Sequence, residues 1–373
     1  DSVQNAASVA SLERAIEVIA AMAGRTHIKE ELVHGSFRVQ AAAKTLSVLD
    51  LDARSSAAYG LAHIFSILTV TNGELHKLSL AEKDITPEQY AQLTEMQRIK
   101  GVKDDNGNPV EEKKEVTDPD TDKMCRTRIK AIVNVGGFSC LVRLLTYGST
   151  QTKEHSSRAL RQMCIEESVR GSFIQQGALK ACCEIISTQT DKRADSSSKS
   201  TSTTTAPSAA TRREAAHAVS KVLVTTNPTL LQEHARLGAI QPLIYLAKDV
   251  DSTNLQQFES LMALTNLVSL GEAEQNKFIK EKGVPSAHYL MFSDHFMVRR
   301  AACEVFCNIP LEEALLNIMR KPDQVRLWVG LCYEWSNEEE PTEGPLIARA
   351  VSGTLASAAN DSGVCAALIE EDV

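Results

Sequence analysis

A chain assembled from one recurring block has few folds open to it, and this chain repeats. The block is a turn containing Gly, an apolar run, a gap, and a second apolar run with helical spacing. Its openings are Gly137-Phe138-Ser139-Cys140-Leu141-Val142, Gly177-Ala178-Leu179-Lys180-Ala181, Gly238-Ala239-Ile240-Gln241-Pro242-Leu243 and Gly283-Val284-Pro285. They start 40, 61 and 45 residues apart. The long interval holds a Ser/Thr-rich stretch from Thr188 to about Ala210, without which it falls to roughly forty residues.

A helical period of this length is the signature of armadillo and HEAT repeats. In the Gly-Ala-Ile-x-Pro-Leu opening, Gly238 is expected to end one short helix and Pro242 to begin the next. The closing helices align without gaps over Ser157–Met163, Glu214–Val222, Glu259–Leu267, Ala301–Ile309 and Ala350–Ala358, with further copies at Ser55–Ile64 and Arg14–Ala23. Leu261, Ala263, Leu264 and Leu267 fall on one side of such a helix. No helix pair can bury its apolar face alone, so stacked neighbours must share a core. The expected fold is all-α: an armadillo-repeat superhelical solenoid of seven or eight units.

Composition agrees. Aromatics are 5%, and 18 Gly with 11 Pro among 373 residues give too little turn punctuation for a many-stranded β fold. Forty basic against 48 acidic side chains give net −8, with no basic block for nucleic acid or an anionic membrane. Nine cysteines, an odd number inside mostly apolar runs, read as reduced buried thiols of a cytoplasmic protein. Asp1 is followed by no charged-then-apolar leader, so no signal peptide is expected. The longest stretch without formal charge, Ser55 to Gly73, carries Ser, Thr, Asn, Tyr and His and reads as a buried helix rather than a membrane span.

Two inserts interrupt the repeats. Residues 100–122 are charged and punctuated by Gly and Pro, and are expected to form a solvated loop; residues 188–210 include an almost pure Ser/Thr tract. Asp104-Asn106-Asn108 and Asp118-Asp120-Asp122 imitate the opening of a calcium loop, but Pro109 and Lys123 stand where the sharp turn needs Gly. Cys303 and Cys307, one helical turn apart, have apolar neighbours and read as core thiols, as do Cys182 and Cys183. No phosphate loop, Gly-x-Ser-x-Gly elbow or His-Glu-x-x-His occurs. No enzyme, cofactor or metal is expected. The repeats read as a protein-binding surface.

In armadillo stacks the third helix of each repeat lines a concave face, and its solvent-facing residues recur at i and i+4. Taking Asn266 as reference, the equivalent positions are His63, Gln162, Lys221, Asn308 and Ser357; one turn earlier come Tyr59, Arg158, His217, Met262, Glu304 and Gly353. The first set is polar or ionisable throughout, a ladder suited to an extended peptide backbone, to which Asn both donates and accepts. Importers of basic signals place Trp four residues before the Asn. Met262 and Glu304 stand there instead, so that function is disfavoured.

The run Leu255-Gln256-Gln257-Phe258-Glu259-Ser260-Leu261-Met262-Ala263-Leu264-Thr265-Asn266-Leu267 resembles the central signature of the UCS family of myosin chaperones. So do Ile279 to Pro285, Tyr289 to Phe292, Arg299 to Cys303, Cys307-Asn308, and Tyr59-Gly60-Leu61-Ala62. The resemblance implies residues 1–50 as the end of a preceding armadillo-like region and 51–373 as a UCS domain incomplete at its C-terminus. It implies a chaperone that holds the myosin motor domain in a groove and prevents its aggregation. The client-binding residues would be Phe258, Met262, Asn266, Tyr289, Arg299, Arg300 and Asn308, and the ladder adds Gln162, Lys221 and Glu304. The family's cytosolic heat-shock chaperone partner would bind through a tetratricopeptide domain, of which this chain shows no unit. The alternative is a general armadillo-type adaptor linking protein partners.

Overall fold

Polar caps and glycine turns cut the apolar pattern into short helices. Ser149 Oγ accepts from Thr152 N, Ser208 Oγ from Thr211 N, and Asp361 Oδ1 from Gly363 N and Val364 N, each supplying a helix start with a side-chain acceptor. Thr253 and Gln256 form a reciprocal capping box. The computed structural model describes residues 2–34, 56–81, 120–187, 206–309, 312–337, 339 and 341–371. The described residues are helical, with no strand among them. The 50/51 boundary and most of both inserts, 100–119 and 188–205, lie outside the described residues.

The chain divides into two compact units, Asp1–Val169 and Arg170–Val373. In the first, α1 (Ser2–Met22), α2 (Thr26–His34), α3 (Ser56–Leu68), α4 (Asn72–Ala81), α5 (Asp122–Asn134), α6 (Gly137–Tyr147) and α7 (Thr150–Met163) follow in order. The third helices of successive repeats, α1, α3 and α7, pack side by side. Phe65, Leu68, Ile132, Phe138, Leu144 and Leu160 fill the core.

The second unit contains α8 (Arg170–Gln175), α9 (Ala178–Ser187), α10 (Ala209–Thr225), α11 (Glu233–Lys248), α12 (Asn254–Val268), α13 (Glu272–Lys280), α14 (Gly283–Leu290), α15 (Phe296–Phe306), α16 (Glu313–Met319), α17 (Pro322–Cys332), α18 (Glu343–Ala358) and α19 (Ser362–Glu370). Here the third helices α10, α12, α15 and α18 form one layer, each packed on the next. Val219, Leu243, Leu264, Phe278, Phe306 and Trp328 are buried between the layers. A helix stands at each of the seven aligned segments, but α15 ends at Phe306, so Cys307, Asn308 and Ile309, aligned as helical, lie just past its end. The fold class is the armadillo-type helical stack that the period indicated.

The Gly-led junctions solve one geometric problem in different ways. Gly136 and Gly177 take the left-handed conformation between a first and a second helix, at φ +87° and +81°. Lys282 adopts it at the fourth junction, φ +62°, because the next residue is needed for close approach: a Cβ on Gly283 would clash with the Phe278 ring. The third junction corrects the sequence reading. Gly238 does not end a helix; α11 continues from Glu233 through Gly238 and Pro242 to Lys248. The carbonyl that Pro242 leaves without an amide partner is that of Gly238, four residues earlier.

A second correction concerns the end of the first insert. Asp120, read as part of a solvated calcium-like loop, has a fully buried side chain. Its carboxylate accepts from Lys29 Nζ at 2.8 Å, Arg128 at 2.8 Å and the Asn72 amide at 3.0 Å. Arg128 also donates to Glu30 and to the Leu68 and Val70 carbonyls, and Lys29 to the Val70 carbonyl. One buried charge network thus pins α2, the α3–α4 turn and α5 together. Burial works against the charge on Asp120, but the hydrogen bonds from Lys29 and Arg128 outweigh it and hold the carboxyl below its usual range.

Candidate binding face of the third helices

On α10 the predicted ladder residues Lys221 and His217 reach across one repeat to Glu259 of α12. Lys221 Nζ lies 2.9 and 3.2 Å from the two Glu259 oxygens, and His217 Nε2 lies 2.8 Å from Glu259 Oε2. Burial disfavours the charged carboxylate, yet the bonds from His217 and Lys221 prevail and keep Glu259 below the ordinary carboxylate range. A carboxylate only accepts, so Nε2 carries the proton. Gln256, whose oxygen caps Thr253 N, turns its Nε2 toward His217 Nδ1 at 3.3 Å, which selects the neutral Nε2–H tautomer. His217 is therefore buried and not solvent-facing as the spacing suggested.

Asn266 also turns inward. Its Nδ2 donates to the Leu223 and Val224 carbonyls at 3.2 and 3.1 Å, near the C-terminal end of α10, where backbone acceptors lack helical partners. Met262 and Phe258, one and two turns before it, are half-buried on the same helix.

On α15 and α18 the charges are again internally matched. Arg300 donates to Glu304 at 2.8 Å and to Glu343 at 3.1 Å, and these carboxylates overcome the penalty of burial to raise its guanidinium pKa. Arg299 donates to Glu334 at 2.7 Å and to the Ser293 carbonyl at 3.0 Å, with its guanidinium over the Phe296 ring. Tyr289 stands apart, 78% exposed on the second helix α14.

Where α15 ends, a pocket of about 480 Å³ opens toward α18. Asn308, Gly353 and Ser357, three positions matched by spacing alone, line it together with Gln275, Phe306 and Thr354. Gln275 Nε2 bonds the Val268 and Asn308 carbonyls at 3.1 and 2.8 Å. The Thr354 and Ser357 hydroxyls donate to carbonyls of their own helix, each at 3.0 Å. The Asn308 carboxamide has no hydrogen-bond partner among the described residues. Cys307 departs from its reading as a core thiol: it is exposed at this wall, its Sγ facing the Ala350 carbonyl at 3.6 Å, while Cys303 is buried. Among the described residues no three His, Cys, Asp or Glu side chains gather as a metal site, and no single helix is long and apolar enough to cross a membrane.

The first unit carries its own third-helix cluster. Tyr59 and His63 of α3 meet His155 of α7, with ring centroids 5.4 and 4.7 Å from the His155 ring. Burial, then His63 and Arg158, lower the His155 pKa to about 4. Gln162, expected to face solvent, is buried because α3 packs over it, and its Oε1 accepts from Thr69 Oγ1 at 2.9 Å.

The residues that sequence reasoning missed are the partners: Glu259, Gln256, Glu334, Glu343 and Gln275. A signal for several of them was present. Lys221 and Glu259 are 38 residues apart, His217 and Glu259 42, and Arg300 and Glu343 43, all close to one repeat.

No protein-family model matches the chain. Over 242 residues, 63% of its length, it is 29% identical to Protein unc-45 homolog B of Xenopus tropicalis; over 214 residues, 56%, it is 28% identical to the human protein of that name. The chain is similar in sequence to the unc-45 proteins. It spans 23% and 21% of the length of these two relatives. Among solved structures, UNC-45 from Drosophila melanogaster matches 96% of this chain and 39% of its own with a TM-score of 0.67 and 24% identity. The myosin chaperone UNC-45 from C. elegans, solved with an Hsp90 peptide, matches 96% of this chain and 34% of its own, with a TM-score of 0.65 and 22% identity. These two likenesses establish the same helical fold in the unc-45 proteins and in this chain.

Proposed function

We propose that the chain is a client-binding part of a myosin chaperone, holding the motor domain through the third-helix face and preventing its aggregation. The observation that carries this reading is the sequence relationship to unc-45 across 63% of the chain. The C. elegans relative is a myosin chaperone, and it has been solved with both Hsp90 and Hsp70 peptides. Contact with heat-shock chaperones is part of the same proposal for the whole protein, and we assign it to no residue here.

Action by binding alone suits the face. Phe258, Met262, Asn308 and Tyr289 would touch the client. Lys221, Arg299, Arg300 and Glu304, already paired within the fold, would hold the helices in register, as Gln162 and Asn266 do through carboxamide hydrogen bonds. The test is heat-induced aggregation of a purified motor domain followed by light scattering. Suppression by the chain supports the reading; motor that aggregates equally fast with and without it overturns the reading.

A further inference from the structure

The pocket between the end of α15 and α18 has a composition that selects its occupant. None of the side chains lining it is charged. On the helices beside it, Arg300 is shared by Glu304 and Glu343, so those charges are engaged with one another with one carboxylate in excess. An acidic or basic guest would give up water with no counter-charge in the lining to meet it, a cost that an aliphatic or thioether side chain avoids. At about 480 Å³ the cavity lies inside the range of small-ligand sites and admits one large side chain with adjoining backbone.

The polar groups are arranged for a backbone rather than for a charge. The Thr354 and Ser357 protons and the Gln275 amide protons are spent on the fold's own carbonyls. The Asn308 carboxamide keeps both its donor and its acceptor, the pair of functions that one residue of an extended peptide presents. Gly353 contributes open space, since a Cβ built there meets nothing within 4 Å.

We propose that this pocket is a subsite for one uncharged, Leu- or Met-like side chain of an extended client segment, with Asn308 bonding the client backbone beside it. The proposal deepens the client-binding reading and rests on it for the extended client; the recognition chemistry is measured separately.

The probes are fluorescently labelled Gly/Ser host peptides carrying Leu, Met, Asp or Lys as a single central guest, titrated with the full chain by anisotropy. Leu and Met guests are expected to bind at least about tenfold more tightly than Asp or Lys, the size of one modest desolvation difference. Gly353→Leu fills the cavity and should erase that preference without lowering the melting temperature, since it replaces a helical Gly facing open space. Asn308→Ala should weaken all four peptides by about tenfold. Equal binding of the four guests, no binding of any, or a preference surviving Gly353→Leu overturns the subsite. Motor-domain capture by the same protein separates the two proposals. Capture without guest preference removes the subsite alone, and guest preference without capture removes the myosin reading alone.

Discussion

Asn266 and Asn308 align one repeat apart, but Asn266 lies within α12 and Asn308 just past the end of α15, and their amides have different work. Asn266 donates to two carbonyls of the preceding third helix, so Asn266→Ala leaves both acceptors short of a partner and should cost about 1–2 kcal/mol. Asn308→Ala removes no bond made by its side chain within the described structure and should stay within about 0.5 kcal/mol of the parent. Urea unfolding of the two variants distinguishes them; equal losses would contradict the assignment. Histidine supplies a pH-dependent counterpart. His155 falls to about 4 on folding, mainly through burial, and His288 is lowered for the same reason. Between an unfolded value of about 6.5 and these lower folded values the unfolded chain binds the protons and the native chain does not. Stability is therefore full at neutral pH and is lost as the pH falls through that window, so the urea midpoint should be lower at pH 5 than at pH 7. A midpoint that rises on acidification would contradict the buried, neutral imidazoles.

The legibility of the fold lay at the level of elements. The third helices could be aligned because their buried positions repeat, as Leu261, Leu264 and Leu267 do on α12, and burial depends on position along the helix more than on tertiary detail. Side chains at helix–helix edges were less legible. Gln162 and His217 sit on the polar stripe but lie under the neighbouring helix, and which edge is covered depends on how the neighbour packs. Asp120 was illegible for another reason: its partners Lys29 and Arg128 come from different helices, and a local Asp-rich pattern does not encode the fold that joins them. With its side chain fully buried and shared by two cations, Asp120 should be among the most sensitive positions in the N-terminal unit. Asp120→Ala leaves Lys29 and Arg128 buried without their common carboxylate and should cost about 3–5 kcal/mol, measured as a fall in the denaturation midpoint. A loss below about 1 kcal/mol would mean that the network is solvated.

Across the whole molecule, net −8 gives little guide to the partner, because the charges on the third-helix face are matched to one another at about the repeat spacing. What the proposed client would meet is neutral: Met262 and Phe258 half-buried on α12, and the Asn308 pocket. That pattern suits unfolded or partly folded protein better than a charged signal, and it fits the relationship to unc-45. The most direct measurement is the rate of heat aggregation of a myosin motor domain with the parent chain and with Met262→Glu, which places one new charge on the neutral stretch of the face. The account predicts that the parent slows aggregation and that Met262→Glu, still folded, needs at least about tenfold more protein for the same protection. A parent chain without effect, or a Met262→Glu variant that protects equally well, would contradict it.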